Sequence, residues 1–93
     1  MSKAYSVIYT RDAEKALKKL DLVIRRRILL WITNNLEDCT DPYQYGKSLT
    51  GDLSGKWRYR IGEYWAIAEI QDEKILILIL TIGHRRDIYK KKS

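Results

Sequence analysis

Lys56-Trp57-Arg58-Tyr59-Arg60-Ile61-Gly62-Glu63-Tyr64-Trp65-Ala66-Ile67-Ala68-Glu69-Ile70-Gln71 reads as two strands and the turn that joins them. Trp57, Tyr59 and Ile61 alternate with Arg58 and Arg60, the period of two of a half-buried strand. Gly62 stands in the first central position of a two-residue turn, where a type II′ hairpin needs a left-handed residue. With Gly62-Glu63 as the turn, Ile61 faces Tyr64, Arg60 faces Trp65, Tyr59 faces Ala66 and Arg58 faces Ile67. Directly opposed residues share a face. Arg58, Arg60 and Trp65 therefore lie on one side of the hairpin, with Tyr59 and Ala66 on the side expected to meet a core.

Downstream, Asp72-Glu73 reads as a second turn, and 74–82 as the third strand of a meander. Its stretch Leu76-Ile77-Leu78-Ile79-Leu80-Thr81-Ile82 is almost unbroken in apolar character, which fits a central strand covered on both faces. The run stops at Gly83 and opens into His84-Arg85-Arg86-Asp87-Ile88-Tyr89-Lys90-Lys91-Lys92. Residues 84–92 hold five Lys/Arg against one Asp, a large part of the molecule's net +6.

Upstream, residues 4–9 are rich in β-formers and read as a first strand. Thr10 is a plausible N-cap for a helix whose apolar face is Ala13, Ala16, Leu17 and Leu20. Asp21 can cap a second helix with the stripe Ile24, Ile28, Trp31, Ile32 and Leu36, flanked by Arg25, Arg26 and Arg27. This helix should end between Asn34 and Asp41. The segment 42–55 holds the only Pro and three of the five Gly, and reads as a loop. The expected fold is α+β: an antiparallel sheet with an N-terminal helical hairpin on one face, in the order β-α-α-β-β-β.

Ninety-three residues make a single domain, 1–93, with one core. Hydrophobic residues at 45% argue for a folded globule, and charged residues at 32% for a soluble one. No apolar segment approaches the roughly 20 residues that span a bilayer, and the N-terminus shows no signal-peptide core. Cys39 is the only cysteine, which excludes an intrachain disulfide and suits a reducing cytoplasm. One Cys and one His fall short of a zinc ligand set. The carboxylates are scattered, so the expected chemistry uses neither metal nor cofactor. The pI near 9.5 points to an anionic partner: nucleic acid, an acidic protein segment or an anionic membrane surface.

Two guanidiniums and an indole on one face, beside Arg85-Arg86, suit single-stranded RNA. Guanidiniums clamp phosphate bidentately and aromatic planes stack on bases. A solvated outer strand face is the plain alternative for Arg58 and Arg60. Trp65 could instead cover the sheet, His84 could be structural, and the terminal lysines could be a solvated tail. Tyr5, Tyr9, Trp31 and Trp57 look like core or core-edge aromatics, and Arg25 to Arg27 like a helix flank.

Leu49-x-Gly51, then Gly55-Lys56-Trp57-Arg58-Tyr59-Arg60-Ile61-Gly62-Glu63-Tyr64, then Gly83-His84-Arg85-Arg86-Asp87-Ile88-Tyr89, resemble the RelE branch of the RelE/ParE toxins of bacterial and archaeal toxin–antitoxin systems. The resemblance spans essentially the whole chain. It implies a cytoplasmic, ribosome-dependent endoribonuclease that cuts mRNA in the decoding site without a metal. A cognate antitoxin would neutralise it in a hetero-oligomer. By the same resemblance Arg58, Arg60, Arg85 and Tyr89 are the expected catalytic residues. Lys56, Trp65, His84, Arg86 and Lys90 are expected substrate contacts. Arginine stays protonated and stabilises a pentacovalent dianion but is a poor base, which leaves Tyr89 and His84 for proton exchange. The family pattern after the hairpin is Gly-x-Tyr-Arg, whereas Tyr64 is followed here by Trp65. That departure implies an attenuated or inactive enzyme. The alternative is a ParE-like toxin that inhibits DNA gyrase by binding and cuts nothing; a basic RNA-binding domain without toxicity is a third reading.

Overall fold

The computed structural model describes residues 3–88. Strand β1 (Ser6–Tyr9) leads into helices α1 (Arg11–Lys18) and α2 (Leu22–Asn35). The short strand β2 (Lys47–Ser48) follows, and then the meander β3 (Trp57–Ile61), β4 (Tyr64–Gln71) and β5 (Leu76–His84).

Local chemistry explains the helix starts. The Thr10 hydroxyl accepts the Ala13 N–H at 3.1 Å and donates to the Leu80 carbonyl at 2.9 Å, so one cap also pins α1 to the sheet. The Asp21 carboxylate accepts the Val23 N–H at 3.2 Å and caps α2. Arg25 does more than flank its helix. Its guanidinium donates to the Leu17, Lys18 and Leu20 carbonyls at 3.0–3.2 Å, closing the C-terminal end of α1.

The sheet has five strands in the order β1-β5-β4-β3-β2. The β3–β4 register is the one read from the sequence: Ile61 opposite Tyr64, Arg60 opposite Trp65, Tyr59 opposite Ala66 and Arg58 opposite Ile67. Gly62 takes φ +63° while Glu63 stays out of the left-handed region, as a type II′ turn requires. Tyr59, Ala66, Ala68, Ile77, Ile79 and Ile82 bury one sheet face against Ala13, Leu17, Ile28, Ile32 and Leu36 of the helices. Each such Leu or Ile contributes about 1.5–3 kcal/mol by leaving water.

Four expectations need correction. The sheet is not wholly antiparallel: β1 pairs with β5 in parallel, Ser6 opposite Leu76 through Tyr9 opposite Ile79. The helical hairpin acts as part of a long crossover that returns the chain beside its own first strand. Residues 42–55 are not only a loop, because Lys47 and Ser48 pair with Arg58 and Trp57. A two-residue strand is too short to show a period, and this one is held by distant partners. Trp57 Nε1 donates to the Tyr45 carbonyl at 2.6 Å, and the Tyr59 hydroxyl to the Pro42 carbonyl at 2.7 Å.

The third meander strand begins at Leu76, after a 3-10 turn over Asp72–Lys74 and a left-handed Ile75 at φ 51°. Nor is β5 covered evenly on both faces. On the side away from the helices, Leu49, Ile67 and Ile88 form a small buried cluster against Leu53, Trp65 and Leu80, while Ile8 is 48% exposed. A register shift between Ile67 and Ala68 leaves Leu80 as an extra residue opposite β4. Ile79 and Ile82, three apart, consequently reach the same core.

Candidate functional site

The face of the sheet turned away from the helices carries the cations. Arg58 and Arg60 alternate with buried Tyr59 on β3, and pairing brings Trp65 opposite Arg60 and Lys47 opposite Arg58. Lys47 was invisible to sequence reading, since its placement depends on the short strand in the former loop.

Arg58 and Trp65 form the centre of this face. The guanidinium carbon of Arg58 lies 4.4 Å from the indole centroid, in cation–π stacking. Arg58 Nε is buried and has no hydrogen-bond partner among the described residues. The indole also packs on the Leu49–Ile67–Ile88 cluster, so Trp65 is both a wall of the site and a cover for apolar surface. Gly83 lies opposite Trp65 on β5. A Cβ there would come within 3.2 Å of Ile88 Cδ1, so the missing side chain lets the C-terminal turn fold back over the sheet.

The remaining expected residues divide. Arg60 is exposed, with Nε donating weakly to the Gly62 carbonyl at 3.4 Å. Arg85 reaches the same end of the sheet and is held by Glu63, Nε to Oε1 at 3.0 Å. Lys56 lies beside β3 and meets Glu69 at 3.9 Å. Arg86 is exposed in the turn after β5. His84 goes elsewhere: it pairs with Tyr64, and strand alternation puts both rings on the helix side, edge to face at 5.4 Å. Its Nδ1 accepts the Arg86 N–H at 3.1 Å, which is structural work. Tyr89 and Lys90 lie outside the described residues.

The phenols with raised pKa values belong to the scaffold. Burial pushes the Tyr9 hydroxyl up to about 12, and burial also drives Tyr59 well above its ordinary value. Tyr5 is held up to about 12, first by its hydrogen bond to Asp72 and then by burial. Among the described residues no group of three or more His, Cys, Asp or Glu is gathered as a metal site. No described helix is long and apolar enough to cross a membrane. Chemically, the face offers fixed positive charge and one aromatic plane.

A family model described as the ParE toxin of the type II toxin–antitoxin system parDE matches residues 7–89. The chain belongs to the RelE/ParE family of type II toxins. The toxin is 32% identical over 87 residues to Toxin RelG of Mycobacterium tuberculosis, covering 94% of this chain and 98% of that protein. It is similar to a chain of the toxin–antitoxin complex RelBE2 of M. tuberculosis, at 31% identity and TM-score 0.80 over 90% of this chain and 94% of that one. It is also similar to a chain of the archaeal RelE–RelB complex of Pyrococcus horikoshii, at 26% identity and TM-score 0.64 over 88% and 96%. The toxin thus shares the RelE-like α+β fold, and these structural neighbours come from toxin–antitoxin complexes.

Proposed function

We propose that the toxin is a cytoplasmic, ribosome-dependent mRNA endoribonuclease of reduced activity, held in check by a RelB-type antitoxin. The observation that carries this reading is the gathering of Lys47, Arg58 and Arg60 on one open sheet face, with Arg85 fixed at its end. A binder of neutral surfaces has no need of such an array.

In the proposed reaction the RNA 2′-oxygen attacks the adjacent phosphorus as its proton leaves. The bond from phosphorus to the 5′-oxygen breaks, giving a 2′,3′-cyclic phosphate and a 5′-hydroxyl that gains a proton. The charge that builds on the non-bridging oxygens is met by guanidiniums, which stay protonated and so act electrostatically. His84 serves poorly as the proton acceptor, since it sits on the opposite face. Tyr89, which follows Ile88 in the chain, is the other candidate for proton exchange.

Reduced activity follows from Trp65, where the family pattern has arginine. The indole spends its face on Arg58 and offers a transition-state oxyanion no charge. Losing one such donor commonly costs about two to three orders of magnitude in rate. Purified toxin added to cell-free translation, with primer extension along the message, tests the reading. Weak cuts at defined codon positions support it, and no cuts at any toxin concentration overturn it. The matching family is described as the ParE toxin of parDE, which keeps the ParE-like alternative, gyrase inhibition by binding, as a second reading. A supercoiling assay run in parallel decides between them.

A further inference from the structure

Arg60 and Arg85 both direct Nε to the same two-residue turn. Arg60 Nε donates to the Gly62 carbonyl at 3.4 Å, and Arg85 Nε to Glu63 Oε1 at 3.0 Å. The Arg85 backbone N–H also donates to the Glu63 carbonyl at 2.9 Å, so Glu63 grips this arginine at two points. Continuing the β4–β5 register beyond Tyr64 and His84 puts Glu63 opposite Arg85, on the same face as Trp65 and Arg60.

An arginine bonded through Nε keeps its two terminal nitrogens, whose edge matches two oxygens of a phosphate. In this pair it is Nε that meets the carboxylate, at 3.0 Å. The pair is exposed, with 45% and 60% of the two side chains accessible, and pairs of that kind add little to stability. Orientation is what it supplies. A flexible arginine at the end of a strand would otherwise spread over many rotamers. The carboxylate in turn would repel a phosphate if Arg85 did not occupy it.

We propose that Glu63 is a positioning residue that presents the terminal nitrogens of Arg85 to the phosphate of single-stranded RNA bound on the Arg58–Arg60–Trp65 face. This inference rests on the RNA-directed reading above and adds to it a residue that the family resemblance does not assign. Glu63 touches no substrate atom and acts only through Arg85.

The test is a double-mutant cycle on the full chain, with Glu63→Ala, Arg85→Ala, both together, and Glu63→Gln as the conservative variant. Two readouts are taken: cleavage on translating ribosomes, and fluorescence anisotropy of a labelled single-stranded oligoadenylate. Loss of orientation in Glu63→Ala should lower kcat about tenfold with KM nearly unchanged. It should weaken oligoadenylate binding about threefold. Glu63→Gln should recover most of both, because its amide oxygen still accepts from Nε. In the Arg85→Ala background, Glu63→Ala should cause no further loss and should instead relieve the repulsion of the freed carboxylate. Tighter binding or unchanged cleavage in Glu63→Ala overturns the proposal, as does an effect additive with Arg85→Ala. A parent chain that binds oligoadenylate but does not cut removes only the nuclease reading, and the cycle is then read on binding. A parent that neither binds nor cuts removes both.

Discussion

Replacing Trp65 by arginine changes two things at once. It adds a guanidinium to the phosphate-facing surface, and it removes an indole from Arg58 and from the Leu49–Ile67–Ile88 cluster. Trp65→Arg is expected to raise mRNA cleavage by about two orders of magnitude and to lower stability by about 1–3 kcal/mol. Primer extension and urea unfolding measure the two effects. A different single residue contributes to the alkaline limit, beside the Tyr9 and Tyr59 hydroxyls. Asp72 accepts hydrogen bonds from Tyr5 at 2.8 Å and from Tyr43 at 2.9 Å, tying the first strand and residues 42–44 to the β4–β5 turn. A phenol whose folded pKa stands above its unfolded value of about 10 stabilises fully below pH 10 and stops stabilising above its folded pKa. For Tyr5, held up to about 12, the window of loss is therefore about pH 10 to 12. Tyr5→Phe should cost about 1 kcal/mol at pH 7 and flatten the alkaline fall measured by denaturant titration across that window.

The element that most controls the site is the shortest. Gly46 precedes β2 at φ +80°, and a Cβ there would collide with the Arg58 carbonyl oxygen and lie 2.9 Å from Trp57 Nε1. Both neighbours belong to β3, so the strand that carries Arg58 and Arg60 runs against this glycine. Gly46→Ala should therefore cost at least about 2 kcal/mol, from left-handed strain plus a displaced β2. Thermal unfolding checks the cost, and amide exchange at Arg58 checks its location. The hairpin beside it was legible from the sequence because alternation and a two-residue turn fix its register over short range. Strand β2 was not, since two residues carry no period and its pairing is set by Trp57 and Tyr59 reaching back to Tyr45 and Pro42.

Across the whole molecule the two sheet faces have divided their work, a helix-covered core on one side and a cationic surface around a stacked indole on the other. If Lys47, Arg58, Arg60 and Arg85 each neutralise one phosphate, the affinity for single-stranded RNA should fall with salt at a log–log slope of about −3. Anisotropy titrations at several salt concentrations read that slope, and a value near zero would assign binding to stacking alone. Length, charge and alternation by themselves determined the class of fold, the β3–β4 register, both helix caps and the side of the hairpin that Arg58, Arg60 and Trp65 share. These are local properties, set by residues within a few positions of one another. Only the tertiary structure decided that β1 runs parallel to β5, that Lys47 joins the cations and that Glu63 holds Arg85. It also decided that His84 faces away from them. Those outcomes depend on contacts between segments far apart in the chain. In β5 they depend also on one extra residue, Leu80, which resets the alternation that an unbroken apolar run leaves undefined.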